Sequence, residues 1–218
     1  MGAIARNIAN NITTSGVFTS SAIANSSVTG ITVLANASDG ITFISSQTAS
    51  SSASISFTSG LDSTYKAYKF VFVNIHPSTA ADFTFNMSTN SGSNYNVTKT
   101  TTFFVSAHSE DDTTEAQLEY RPAQDLAQST DFQPLFWGLI TNNDDNASGS
   151  LTLFNPSSTT YVKHFLFSGN WNSTAASPTA KNSYVAGYGN TTSAVNAVQF
   201  KMSSGNIDDG KIYLYGIK

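Results

Sequence analysis

The chain has no cysteine, which excludes disulfides, thiolate metal sites and cysteine nucleophiles together. Charge is also scarce. Only 11% of the 218 residues are Asp, Glu, Lys or Arg, less than half the roughly 25% usual for soluble domains. Long solvent-exposed helices draw on Lys and Glu, so this shortage disfavours them. The formal net charge is −4 and the pI near 5.1. Without a basic stripe, no nucleic-acid partner is expected. No apolar run approaches the ~20 residues of a membrane-spanning helix, so no membrane insertion is expected. The opening MGAIARNIANN lacks the apolar segment of a signal peptide, and Arg6 stands where a myristoylation motif carries Ser or Thr.

The residue patterns of common catalytic centres are missing as well. His76, His108 and His164 are far apart and match no zinc spacing. Glu110, Asp111, Asp112, Glu115 and Glu119 form an acidic cluster, and Asn142 to Asn146 an oxygen-rich loop. Neither has the alternating ligands and glycine of a calcium loop, and both read as solvated loops. There is no Gly-x-Ser-x-Gly elbow, phosphate-binding glycine loop or dinucleotide fingerprint. A non-enzymatic protein without metal or cofactor is expected.

What is present is strand. The run Tyr65 to Pro77, YKAYKFVFVNIHP, places Phe70, Val71, Phe72 and Val73 in sequence. A continuous apolar run bounded by turn residues indicates a central strand covered on both faces. β-Branched Val71, Val73 and Ile75 argue against helix. From Asp82 to Ser88, Phe83, Phe85 and Met87 alternate with Asp82, Thr84 and Asn86, the period of a half-buried strand. Further strands are expected at Ile41–Phe43, Ile55–Phe57, Val97–Val105, Leu135–Ile140, Leu151–Phe154, Tyr161–Phe167, Tyr184–Tyr188, Val195–Met202 and Lys211–Ile217. Turns are expected at Asn90–Asn94, Ser203–Asn206 and Asp208–Gly210, and His76 is expected in a loop beside Pro77. Residues 107–130 read as a long excursion in which Ala116–Tyr120 forms a short helix or a strand. Short strands at regular spacing indicate an all-β, two-layer β-sandwich, jelly-roll-like, over residues 41–218.

Residues 1–40 differ in kind. They consist of Ser, Thr, Ala, Asn and Gly with scattered aliphatics, and Arg6 and Asp39 are their only charges. Such a segment buries too little apolar surface to offset backbone ordering at ~1–2 kcal/mol per residue. Two outcomes follow: a disordered tail, or an extended arm whose aliphatics neighbouring chains bury, and the arm is the expectation. Ile8, Ile12, Val17, Phe18, Ile23, Val28 and Ile31 would make its attachment and oligomerisation contacts.

Aromatics leave two readings open. Trp137, Trp171, Tyr184 and Tyr188 are core residues at strand spacing, or they build a platform on which sugar rings stack. Glycan contact is assigned to Trp171, Tyr184 and Tyr188.

Tyr65-x-x-Tyr68-x-Phe70-x-x-x-Asn74-Ile75-x-Pro77, followed by Asp82-Phe83 and the Ser88 to Tyr95 stretch STNSGSNY, is similar to a module of virion appendage proteins. The resemblance is to tail-fibre-like and other appendage proteins of tailed bacteriophages. The closing Ser203-Ser204-Gly205-Asn206-Ile207 and Gly210-Lys211-Ile212-Tyr213-Leu214-Tyr215-Gly216-Ile217 resemble the end of the same module. ITTSGVFTSSAIANSSVTGI resembles the repeats of fibre shafts. The resemblance implies a non-enzymatic virion protein, a homotrimer, bound to other capsid or tail proteins. A short chain with a brief arm suggests a short appendage or decoration. A receptor-binding tip for host-surface glycans is the alternative.

Overall fold

Period-two alternation and β-branched or aromatic residues carry more than half of the described residues into strand. A computed structural model describes residues 40–173 and 178–218. The arm positions Ile8, Ile12, Val17, Phe18, Ile23, Val28 and Ile31 lie outside the described residues. In chain order the strands are β1 (Ile41–Thr48), β2 (Ile55–Phe57), β3 (Ala67–Pro77), β4 (Ala81–Ser88), β5 (Lys99–Ser109) and β6 (Ala116–Tyr120). They continue with β7 (Gln133–Leu139), β8 (Ala147–Phe154), β9 (Lys163–Ser173), β10 (Thr179–Gly189), β11 (Ala197–Met202) and β12 (Ile207–Ile217). Among the described residues a 3₁₀ turn, Pro122–Gln124, follows β6.

The architecture is the all-β two-layer sandwich that the strand pattern predicts. An eight-stranded sheet runs β1-β12-β3-β8-β9-β10-β5-β6, and a four-stranded sheet runs β2-β11-β4-β7. Every pairing is antiparallel. Alternate residues of both sheets meet between the layers, as in any face-to-face packing. Phe200 of β11 is the hub, with ring centroids 5.2 Å from Phe70, 5.1 Å from Phe72 and 5.8 Å from Phe83.

Two glycines set how closely the layers approach on the β7 side. Gly149 and Gly169 pair across β8 and β9, and the Phe136 ring of β7 lies over them. A Cβ on Gly169 would sit 2.5 Å from Phe136 Cε1 and 2.6 Å from Phe167 Cζ. Both rings are buried, so neither can swing into water. Gly169→Val should therefore lower stability by about 1–3 kcal/mol through overpacking. The urea midpoint of the variant measures it.

Several expectations need correction. β3 is central in the sheet, but among the described residues only its Tyr68–Phe70–Phe72 face is covered, and Val73 on the other face is 39% exposed. Asp208, Asp209 and Gly210 make no turn. They lie within β12 as a bulge where its register to β3 shifts, with Gly210 at φ 124°. His76 is in β3 rather than a loop, its Nε2 3.2 Å from the Asn142 carbonyl. Of the two readings for Ala116–Tyr120 the structure has the strand, and Thr84 and Asn86, on the polar side of the β4 alternation, are buried.

Two lysines are fully buried at one end of the large sheet. Gly189 pairs with Lys99 on one side and Lys163 on the other. Lys163 Nζ donates to the Tyr161 and Thr191 carbonyls at 2.6 and 3.1 Å. Burial holds the Lys163 amine below its ordinary 10.5. Between that lowered value and 10.5 the unfolded chain binds more protons than the folded one, so stability rises with pH across this window. Lys163→Met should flatten the rise, as urea midpoints at successive pH values would show.

Candidate binding face

Strand register determines which side chains share the outer face of the eight-stranded sheet. Across β12, β3, β8, β9, β10 and β5, one row reads Tyr215–Lys69–Thr152–Leu166–Ala186–Thr102. The next reads Tyr213–Val71–Ser150–Ser168–Tyr184–Phe104, and Tyr120 of β6 extends it. On one side lies a third row, Asn170–Asn182–Ser106–Leu118. On the other lies His164–Tyr188–Thr100, beside Phe154. Tyr213 and Tyr215 thus stand at one flank and Tyr184, Phe104 and Tyr120 at the other, and the small Thr152, Ser150 and Ser168 lie between them beside Leu166.

The small residues leave two adjoining depressions, of about 460 and 390 Å³. Phe154, His164, Tyr188 and Thr100 line the first, and Phe104, Tyr184, Ser150 and Ser168 the second. Leu166 and Ala186 belong to both and form the sill between them. Tyr184 stacks on Phe104 with centroids 4.8 Å apart and planes inclined by 17°. This pairing fixes the orientation of both rings. Leu166 is 55% exposed and Tyr184 38%.

These rows hold no aspartate or glutamate, although the protein is net negative. Their only lysine is Lys69; Lys211, whose Nζ lies 5.0 Å from the Tyr213 ring centre, flanks them on β12. The surface offers aromatic faces and hydroxyls at fixed spacing, without a paired acid and base. Chemically it suits contact with a surface of alternating apolar and hydroxyl character, the amphipathic handle of tyrosine serving both.

Tyr184 and Tyr188 are therefore brought together on one open face. Trp171 is not with them. It points into the core, 1% exposed, edge-on to Phe136 at 5.8 Å, and cannot stack on a ligand. Its place on β9 explains this: odd-numbered residues from Lys163 to Trp171 face inward and even-numbered ones outward. Trp137 is half-buried under the Arg121 guanidinium, whose centre is 4.4 Å from the ring.

The acidic cluster is occupied by its own chain. Asp111 accepts from Ser109 Oγ, from the Thr113 and Thr114 amides, and from the Thr114 hydroxyl. These donors, with the Ser109 hydroxyl foremost, hold its carboxyl well below the usual range. Glu119 pairs with Arg121 at 2.7 Å, and Glu115 with Lys181 at 3.8 Å. In the second loop Asp145 accepts from Asn172 Nδ2 at 2.7 Å.

Comparison with protein-family models, curated proteins and solved structures finds no match. The site therefore stands on its own geometry. Phe104, Phe154 and Leu166 were not singled out by residue patterns, yet a signal existed. Phe103-Phe104 and Phe165-Leu166-Phe167 are unbroken apolar runs within strands. One covered face explains only every second residue of such a run.

Proposed function

We propose that this chain is a non-enzymatic structural protein of a bacteriophage virion, a short fibre-like appendage or decoration. In this reading residues 1–40 attach it to capsid or tail proteins and to its copies in a homotrimer, and the sandwich is the outward part. The observation that supports it is the aromatic outer face of the eight-stranded sheet, whose strand rows carry no acidic residue. Contiguous exposed apolar surface of this kind marks an interaction site. The motifs around Tyr65–Pro77 and Ser203–Ile217 support the same class. Deleting residues 1–40 should leave a soluble, folded sandwich that is no longer incorporated. Mass spectrometry of purified particles reads the result, and normal incorporation of the truncated protein would refute the attachment role.

A second reading is a receptor-binding tip for host-surface glycans. Tyr184 and Tyr188 favour it, because they flank depressions lined by hydroxyls. A glycan array with wild type beside Tyr184→Ala separates the two readings. Wild-type binding that the substitution removes supports the tip; no wild-type binding eliminates it.

A further inference from the structure

The four-stranded and eight-stranded sheets meet at a fully buried amine and a fully buried carboxamide. Lys99, at the start of β5, and Asn86, in β4, are both 0% exposed. Lys99 Nζ lies 2.6 Å from Asn86 Oδ1 and 2.9 Å from the Val97 carbonyl. No carboxylate forms an ion pair with this amine among the described residues. A lysine so placed is an unusual way to fill a core, since burial penalises its charged form.

We propose that Lys99 and Asn86 condense into an intramolecular isopeptide bond that joins β4 to β5, and so one sheet to the other. The hydrogen bond from Lys99 Nζ to Asn86 Oδ1 holds the amine beside the carboxamide, and the other contacts of Asn86 fit parts of that step. The neutral Lys99 amine attacks Asn86 Cγ, forming the new C–N bond. Negative charge developing on Oδ1 is met by the Met87 amide, which already donates to that oxygen at 2.8 Å, as a fixed donor stabilises a tetrahedral oxyanion. The Cγ–Nδ2 bond then breaks. One proton passes from the attacking amine to Nδ2, which departs as ammonia. Nδ2 is held by the Tyr95 and Thr130 carbonyls at 2.7 and 2.9 Å, with the Asp131 carbonyl at 3.4 Å. These acceptors suit a nitrogen that gains a proton. Amine plus amide gives amide plus ammonia, so the reaction needs no oxidant and no further reactant.

The surroundings supply the nucleophile. Burial draws the Lys99 amine down to about 7 against the opposing pull of the Asp131 charge. A large neutral fraction is then present at neutral pH, which is how a desolvated lysine becomes reactive. Asn86 and Lys99 are themselves fully buried, so water does not reach the amide carbon. The bond would give a cysteine-free chain a covalent tie between its sheets that is insensitive to reducing conditions.

The test uses the full chain, unfolded before measurement so that folding of a variant does not enter. Cyanogen bromide cuts after Met87, between the two partners, and again after Met202. With the bond, the fragment ending at Met87 and the fragment 88–202 stay joined and weigh one ammonia less than their sum. Trypsin leaves Lys99 uncut. Lys99→Arg should release the two fragments at full mass. Separate wild-type fragments overturn the proposal, including the case where one has lost ammonia, because a succinimide elsewhere would do that without joining them.

Discussion

Phe200→Ala should destabilise the sandwich by about 3–5 kcal/mol, the range for deleting a phenylalanine from a packed core. A whole domain holds ~5–15 kcal/mol, so this single change removes much of the margin. Phe200 is 0% exposed and its ring meets five others, Phe57, Phe70, Phe72, Phe83 and Phe85, at 5.1 to 6.4 Å. Phe70 and Phe72 come from the large sheet and Phe57, Phe83 and Phe85 from the small one. A void at this point lies between the layers, where neither sheet can close over it without breaking its own ladder. Collapse is therefore limited, and the cost belongs at the upper end of the range. Chemical denaturation reads it as a lowered midpoint with an unchanged slope. A loss under 1 kcal/mol would show that the layers do relax together.

Phe200 also illustrates what a strand pattern can and cannot carry. Alternation in β4 and the apolar run in β3 announce strands, and the two-layer sandwich follows because such strands must cover one another. Partner choice does not follow. Nothing local to Gln199 or Phe200 selects β2 and β4 as neighbours, since any apolar strand face would accept the same ring. Lys99 shows the limit from the polar side. Its sequence surroundings, NVTKTT, resemble those of a surface lysine. Its amine is capped by Asn86, which the Tyr95 and Thr130 carbonyls hold in turn, and Asn86 and Thr130 reach this place only in the fold. The binding face was half legible. Tyr184 and Tyr188 are four residues apart on one strand and must share a side. Trp171 had the opposite parity relative to His164 on β9, but that side could not be assigned inward until β9 was placed against β7.

Ala186→Arg should abolish whatever contact the outer face makes while leaving the sandwich folded. Ala186 lines both depressions, and its two strand neighbours in the row are Leu166 and Thr102. An arginine there can lay its aliphatic stem along Leu166 and hold its guanidinium in water, so the stability cost should stay within about 1 kcal/mol, as for most surface substitutions. A partner seated across the sill faces a different situation. It would have to bury an unpaired cation, because the rows themselves carry no carboxylate and Asp125, at their edge, already accepts from the Tyr120 hydroxyl. Burying an unpaired charge costs several kcal/mol, and each 1.4 kcal/mol is about tenfold in affinity. A loss of at least about a hundredfold in binding to host cells is therefore expected if the face is a receptor surface. If the face instead packs against a virion protein, incorporation into particles should fail. Ser204→Arg, in the exposed turn between β11 and β12, adds the same charge away from the face and should leave both measurements unchanged. Equal behaviour of the two variants would mean that the aromatic rows contact nothing, and the binding role assigned to them would have to move elsewhere on the molecule.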